Sequence, residues 1–173
     1  KASKGLIGNV IKFPKISVGA TENLIIAASL AKGKTTLKNC AIEPEIEDLI
    51  NFLRKMGCNI KWSGKRTITI LGVKLLREVN YKIMFDRIEA GTYMIASALT
   101  EGKLKIINII PKKIKTEIDI LKKVGATIKI KGTELTIIGR KKIKNIKLTT
   151  APYPGFPTDL QAQLMVLLCK SFG

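Results

Sequence analysis

Three short segments interrupt a background of lysine and isoleucine, and each carries residue types that could hold an anion. They are FPKISVGATEN at residues 13–23, FDRIEAGTYM at 85–94 and TAPYPGFPTDLQAQ at 150–163. Each sets a Gly-containing turn ahead of a helix-forming run. A helix start offers unpaired N–H groups and the positive end of the backbone dipole, so such a turn suits phosphate or carboxylate. Three mouths of this kind could converge on one anion. Lys15 with the turn Ile16, Ser17, Val18 and Gly19 has the charge and the donors for a diphosphate. Taken alone, Lys15 is one of 26 lysines and Ser17 is an ordinary turn residue. Asp159 could take or orient a hydroxyl proton, or it could cap a helix together with Thr158. Asp86 and Arg87 are adjacent opposite charges, which leaves a structural ion pair open beside a site role. Glu45, Glu47 and Asp48 follow Pro44 and read as first-turn charges that complement a helix dipole.

Composition removes several chemistries. The chain of 173 residues has no His, so it holds no Ser-His-Asp or Cys-His relay and no HExxH metal site. Cys40, Cys58 and Cys169 are odd in number and lack a CxxC spacing, which points to core thiols in a reducing cytoplasm and to no metal site. No apolar stretch approaches the ~20 residues of a spanning helix. The net charge of +18 invites nucleic acid, but the excess is 26 Lys against five Arg, and only 5% of residues are aromatic. Arg supplies the bidentate fork and aromatics the stacking surfaces, so the expectation is no nucleic acid and no membrane partner. The chain begins at Lys1 and stops just past an apolar run, which predicts a piece of something longer.

The elements that must position these residues repeat. Residues 15–72 and 86–139 match in order: AASLAKG at 27–33 with ASALTEG at 96–102, LRKMGCNI at 53–60 with LKKVGATI at 121–128, and TILG at 69–72 with TIIG at 136–139. Each copy reads as an extended start (9–13, 81–85), an Ala-rich helix ending in a Gly cap at Gly33 or Gly102, a strand (35–39, 104–110), an amphipathic helix and two closing strands. The amphipathic stripes are Ile46, Leu49, Ile50, Leu53 and Met56, echoed by Ile114, Ile118, Leu121 and Val124. Pro44, and Thr116 with Asp119, are helix-start signals. The order is βαβαββ. A third copy begins at 146–150, enters a buried helix at 159–168 and stops after one strand and one helix, without a covering sheet.

Four strings, SVGATEN at 17–23, EPEIEDLINFLRKMG at 43–57, DRIEAGTYMIASA at 86–98 and APYPGFPTDLQAQ at 151–163, resemble the UDP-N-acetylglucosamine 1-carboxyvinyltransferase (enolpyruvyl-UDP-N-acetylglucosamine synthase) family. The related shikimate-pathway enolpyruvyl transferase shares the fold but not these strings. The resemblance implies an α/β, inside-out barrel fold of repeated βαβαββ units in two domains, present here in part. Residues 1–83 would be the last unit of the first domain, 84–145 the first unit of the second, and 146–173 the truncated start of its next unit. It implies transfer of the enolpyruvyl group of phosphoenolpyruvate to the 3-hydroxyl of UDP-N-acetylglucosamine with release of phosphate, the first committed step of peptidoglycan synthesis, in the cytoplasm and without metal or cofactor.

The same resemblance carries roles to residues. Lys15, Ile16, Ser17, Val18 and Gly19 match the stretch that contacts the nucleotide. Asp159, with Thr158, matches the carboxylate against the reacting hydroxyl. Asp86, a candidate catalytic carboxylate, and Arg87, a candidate substrate-binding residue, lie at the crossover near the cleft, and Glu43 matches a cleft glutamate that would bind substrate. The Tyr153 to Pro157 run would stiffen the turn that presents Asp159. Ile42 departs from the family, where a basic residue is common. The family's catalytic cysteine belongs to a loop upstream of Lys1, so the segment alone is expected to be inactive. Two rivals remain at this stage, an enolpyruvyl transferase for another acceptor and a basic, non-catalytic nucleic-acid-binding scaffold.

Overall fold

The structure is a computed structural model that describes residues 5–172. Residues 1–4 and 173, at the ends of the first and third expected copies, lie outside the described residues. The chain divides into two compact units, one through Met84 and one from Phe85.

The first unit runs β1 (Val10–Lys12), α1 (Val18–Ser29), β2 (Lys34–Lys38), α2 (Pro44–Lys55), β3 (Asn59–Gly64) and β4 (Thr67–Leu71). Its sheet has the order β1-β2-β4-β3, with β1 parallel to β2 and the other neighbours antiparallel. In β4 the alternation Thr-Ile-Thr-Ile sends Ile68 and Ile70 inward, both fully buried, and leaves the threonines toward solvent. These meet Leu37, Ile25 and Ala28 of α1, and Ile46, Ile50 and Leu53 of α2. Burying one such isoleucine contributes roughly 1.5–3 kcal/mol, so a few of them can hold two helices on one face of a small sheet.

The second unit repeats this plan with α3 (Arg87–Leu99), β5 (Lys103–Ile106), α4 (Lys115–Lys123), β6 (Thr127–Lys131) and β7 (Glu134–Ile138). Its sheet order is β5-β7-β6, all antiparallel. The predicted stripe of Ile114, Ile118, Leu121 and Val124 is buried against Leu135 and Ile137. The amphipathic helices end alike. Gly57 and Gly125 adopt positive φ (97° and 113°), while the following N–H groups of Cys58 and Ala126 donate to Leu53 O and Leu121 O at 3.0 Å. A side chain with Cβ would be strained there, which is why both copies keep Gly at this point.

Several local expectations are corrected. The helix before each first Gly does not end on it: the C-caps are Leu30 and Thr100, and in the second copy Glu101, not Gly102, takes the left-handed turn (φ 57°). Gly102 N–H instead closes back onto Ser97 O at 3.0 Å. Thr116 is not a cap, because a 3-10 turn over Pro111–Ile114 starts the helical path earlier and Ile114 holds the cap position. α1 buries only part of its surface and leaves Ile26 and Leu30 about half exposed. Cys169 is exposed, whereas Cys40 and Cys58 are buried, and burial pushes the Cys40 thiol up to about 11.

The third copy also differs. The predicted strand at 146–150 is absent; instead β8 (Ile143–Lys144) pairs in parallel with β9 (Ser171–Phe172), as β1 does with β2. A second strand is therefore present after α5 (Gln161–Leu168). α5 is not left uncovered, since Leu164 and Leu167 pack into the core that α3 shares. Met165 and Val166 face outward.

The extended start at 81–85 forms no strand. That segment is tied to α2 instead: Tyr81 Oη donates to Asp48 Oδ1 at 2.8 Å, Met84 N–H donates to Asp48 Oδ2 at 3.3 Å, and the Tyr81 ring stands 5.3 Å from that of Phe52. Asp48, expected as a dipole charge, is thus a clamp. Removal from solvent, then the hydrogen bond and charge of Asp48, push the Tyr81 phenol up to about 12 from its ordinary 10.0. A raised value favours the neutral form, so this contact is intact below about pH 10 and is lost as pH rises toward 12. Ultraviolet titration of Asp48→Asn should show this phenol ionising closer to the ordinary value; an unmoved midpoint would mean that the carboxylate does not hold it.

Candidate functional site

The first mouth is built by α1. Ser17 is its N-cap, with Oγ accepting from Ala20 N–H at 3.3 Å, and Thr21 Oγ1 donates to Ser17 O at 2.7 Å. Thr21 Oγ1 also accepts from Ala41 N–H at 3.1 Å, which fixes the turn leading into Glu43 against the helix start. Lys15, Val18 and Gly19 are exposed around this cap, and Ile16 is half-buried against the core. A Cβ on Gly19 would meet nothing within 4 Å, so the mouth is open at that point. Glu43 is buried and stands at the N-cap of α2 without capping it through its side chain. Glu22, one turn into α1, faces the same acidic corner. Burial first, then the charges of Glu45 and Glu43, hold its carboxyl above the usual range.

The second mouth is the start of α3. Asp86 Oδ1 accepts from Ile88 N–H at 2.7 Å and Glu89 N–H at 3.1 Å, the pattern of an N-cap. The Asp86–Arg87 ion pair that the sequence left open is not the one formed. Arg87 turns into the unit, where its Nη1 meets Glu117 Oε1 of α4 at 3.1 Å, with side chains 5% and 3% exposed. A guanidinium so placed is turned away from solvent, which does not fit the substrate-binding expectation for Arg87. The physical reason is that a buried Arg needs a buried carboxylate, and Glu117 supplies it across 30 residues of sequence.

The third mouth is the loop 150–157 and the 3-10 turn Thr158–Leu160 that opens α5. Ala151 N–H donates to Phe156 O at 3.0 Å and Gly155 N–H to Pro152 O at 2.8 Å, and the Tyr153–Pro154 peptide is cis. Phe156 and Leu160 are buried anchors on either side of Asp159. Leu160 seats on Gly91 of α3, where a Cβ would come within 2.4 Å of its Cδ1. Gln163 Nε2 donates to Thr92 Oγ1 at 3.1 Å and sets α5 against α3. Between the anchors, Thr158 and Asp159 are exposed. Pro157, not either of them, holds the cap position, and no side-chain bond caps the turn. Among the described residues, Asp159 makes no hydrogen bond and no ion pair.

The structure therefore brings the second and third mouths together within one unit, and the first belongs to the other unit. Sequence reasoning did not find Glu117, Thr116 or Glu22 as contributors. Only Glu22 had a signal, since it sits inside the SVGATEN string. Among the described residues no group of His, Cys, Asp and Glu could hold a metal ion, and no helix is long and apolar enough to cross a membrane.

A βαβαββ unit followed by a second that lacks only the opening strand, each with a first helix that starts from an exposed turn, defines an enolpyruvyl transferase fold. The enolpyruvyl transferase NikO from Streptomyces tendae superposes with a TM-score of 0.78 at 26% identity, over 90% of this chain and 38% of its own. An EPSP synthase from Acinetobacter baumannii gives 0.59 over 85% and 35%, at 23% identity. The profile of the EPSP synthase (3-phosphoshikimate 1-carboxyvinyltransferase) family matches residues 3–170, and the chain belongs to this family. Within it, the chain is 72% identical over 170 residues to the UDP-N-acetylglucosamine 1-carboxyvinyltransferase of Pelagibacter ubique (strain HTCC1062), covering 98% of this chain and 41% of that protein. It is 49% identical over 168 residues to UDP-N-acetylglucosamine 1-carboxyvinyltransferase 1 of Clostridium acetobutylicum, covering 97% and 40%. The chain thus spans about two fifths of the length of these curated relatives.

Proposed function

We propose that this chain forms part of an enzyme that transfers the enolpyruvyl group of phosphoenolpyruvate to the 3-hydroxyl of UDP-N-acetylglucosamine, releasing phosphate. The observation that carries the reading is Asp159: an exposed carboxylate without a partner, held between two buried anchors on a braced loop. Identity of 72% to a protein bearing that transferase's name supports the choice of acceptor. In the reaction, Asp159 accepts the proton of the 3-hydroxyl as its oxygen bonds to C2 of phosphoenolpyruvate, while C3 takes a proton from a donor outside this chain. The C2–O bond to phosphate then breaks, and loss of a proton from C3 restores the double bond. The open mouth around Ser17 and Lys15 takes the diphosphate of the nucleotide, where helix N–H groups and a lysine offset its charge. Asp86 stays a candidate cleft residue through the carboxylate oxygen that does not cap α3.

On this reading residues 1–83 close one domain, 84–145 open the next and 146–173 begin its second unit. The enzyme works in the cytoplasm, without cofactor, at the start of peptidoglycan synthesis. The match to the EPSP synthase (3-phosphoshikimate 1-carboxyvinyltransferase) family supports a second reading, transfer to a different acceptor. One assay decides between them: phosphate release from phosphoenolpyruvate by the full-length protein carrying this segment. Release that requires UDP-N-acetylglucosamine is expected; release only with another hydroxyl acceptor would move the assignment to the second reading.

A further inference from the structure

The loop that presents Asp159 is nearly a rigid body. Its two internal backbone bonds and the buried Phe156 ring hold its shape. What remains to be set is its orientation, and α4 reaches one dipeptide of the loop directly through Thr116 and, by way of Arg87, through Glu117. Thr116 Oγ1 donates to the carbonyl oxygen of Pro154 at 2.6 Å. Glu117 turns inward to Arg87, and the Arg87 guanidinium carbon lies 5.3 Å from the centre of the Tyr153 ring. We propose that Thr116 and the Glu117–Arg87 pair are positioning residues, which set the Tyr153–Pro154 end of the loop and through it the place of Asp159 during transfer. The proposal rests on the reading of Asp159 given above.

Two physical arguments favour positioning over simple stabilisation. A buried ion pair is a weak source of stability, because desolvating both charges offsets most of their attraction and well-packed apolar residues often do as well. It does supply a flat cation of fixed direction beneath an aromatic ring, which an apolar pair would not. The Thr116 hydroxyl is likewise unused by its own helix. It sits one residue inside α4, past the cap, and reaches 38 residues along the sequence to a carbonyl that the loop's internal bonds leave over.

The test uses full-length protein and Thr116→Val, which keeps the shape and removes the hydroxyl. Displacing a catalytic group by about an ångström costs up to roughly a hundredfold in rate, so kcat should fall about tenfold to a hundredfold while KM for UDP-N-acetylglucosamine changes less than about twofold. Thr116→Ser, which keeps the hydroxyl, should restore kcat. In an Asp159→Asn background Thr116→Val should cost nothing more, since both changes disable one device. Unchanged kcat, or the same loss in both backgrounds, would overturn the proposal. Amide exchange at Gly155 separates this from failure of the functional reading. It should quicken in Thr116→Val and not in Thr116→Ser even if the acceptor proves to be another molecule, and exchange that does not change would reject the positioning role by itself.

Discussion

Glu117→Ala should destabilise the second unit by about 3–5 kcal/mol, the cost of leaving one member of a buried ion pair without its partner. Arg87 is 4% exposed and faces inward from α3, so its guanidinium cannot regain water without opening the contact between α3 and α4. The Tyr153 ring face would compensate little of this, since a cation–π contact contributes roughly 0.5–2 kcal/mol. Replacing both partners together, Arg87→Met with Glu117→Leu, should recover most of the loss, because neither buried charge then remains. Urea denaturation followed by circular dichroism reads both. A single-variant loss below about 1 kcal/mol, or a double variant as unstable as Glu117→Ala, would show that the pair is not the buried contact described. The double variant also separates stability from positioning: a protein that has regained its stability but still turns over slowly would have lost only the aim of its loop.

The features that were legible in the sequence are those written at short range. Helical spacing marked Ile114, Ile118, Leu121 and Val124 as one buried stripe, and the matched TILG and TIIG strings marked a closing strand in each copy, now β4 and β7. The lysine and isoleucine background follows the same geometry in part: in β5 the exposed Lys103 and Lys105 alternate with half-buried Leu104 and Ile106, whereas in β6 Ile130 between Lys129 and Lys131 is itself exposed. Repetition doubled these signals, as Gly57 and Gly125 show by taking the same strained turn at the same offset.

What could not be read depended on partners far along the chain. Residues 81–85 have the look of a strand, but Asp48, 33 residues earlier, binds Tyr81 and holds the segment on a helix instead. Thr116 and Asp119 fit the spacing of a capping box. The 3-10 turn from Pro111 moved the helix start, which left Thr116 free to reach Pro154 and Asp119 to pair with Lys115. Arg87 carried no local sign that its carboxylate would be Glu117 and not its neighbour Asp86. For Tyr81 and Arg87 a tertiary contact outbid the local pattern, and for Thr116 a neighbouring 3-10 turn did so.

Asp159→Asn should lower turnover of the full-length enzyme by roughly 10²–10⁴-fold, the usual worth of a positioned acid or base, while leaving stability within about 0.5 kcal/mol. The two halves of this expectation depend on each other. As a helix cap, Asp159 would accept from a backbone N–H, and its loss would cost about 1 kcal/mol, with asparagine nearly as good a cap as aspartate. The structure gives that role to no side chain at this turn: Pro157 occupies the cap position, and the Asp159 carboxylate is exposed without a partner among the described residues. Asparagine keeps the size and polarity of the side chain and removes its negative charge and its capacity to take a proton, and at an exposed, unpartnered position the fold should not register the change. Steady-state kinetics and thermal melting of the same preparation give the comparison. Normal turnover in a stable variant would remove Asp159 from the chemistry, and with it the reason for bracing the loop from α4. A fall in stability of about 1 kcal/mol in Asp159→Ala, with turnover retained in Asp159→Asn, would return the residue to the capping role that its sequence position allowed. Loss of turnover alone would place the Asp159 carboxylate in the chemistry, and Thr116→Val then reads whether the contact from α4 to Pro154 O sets its aim.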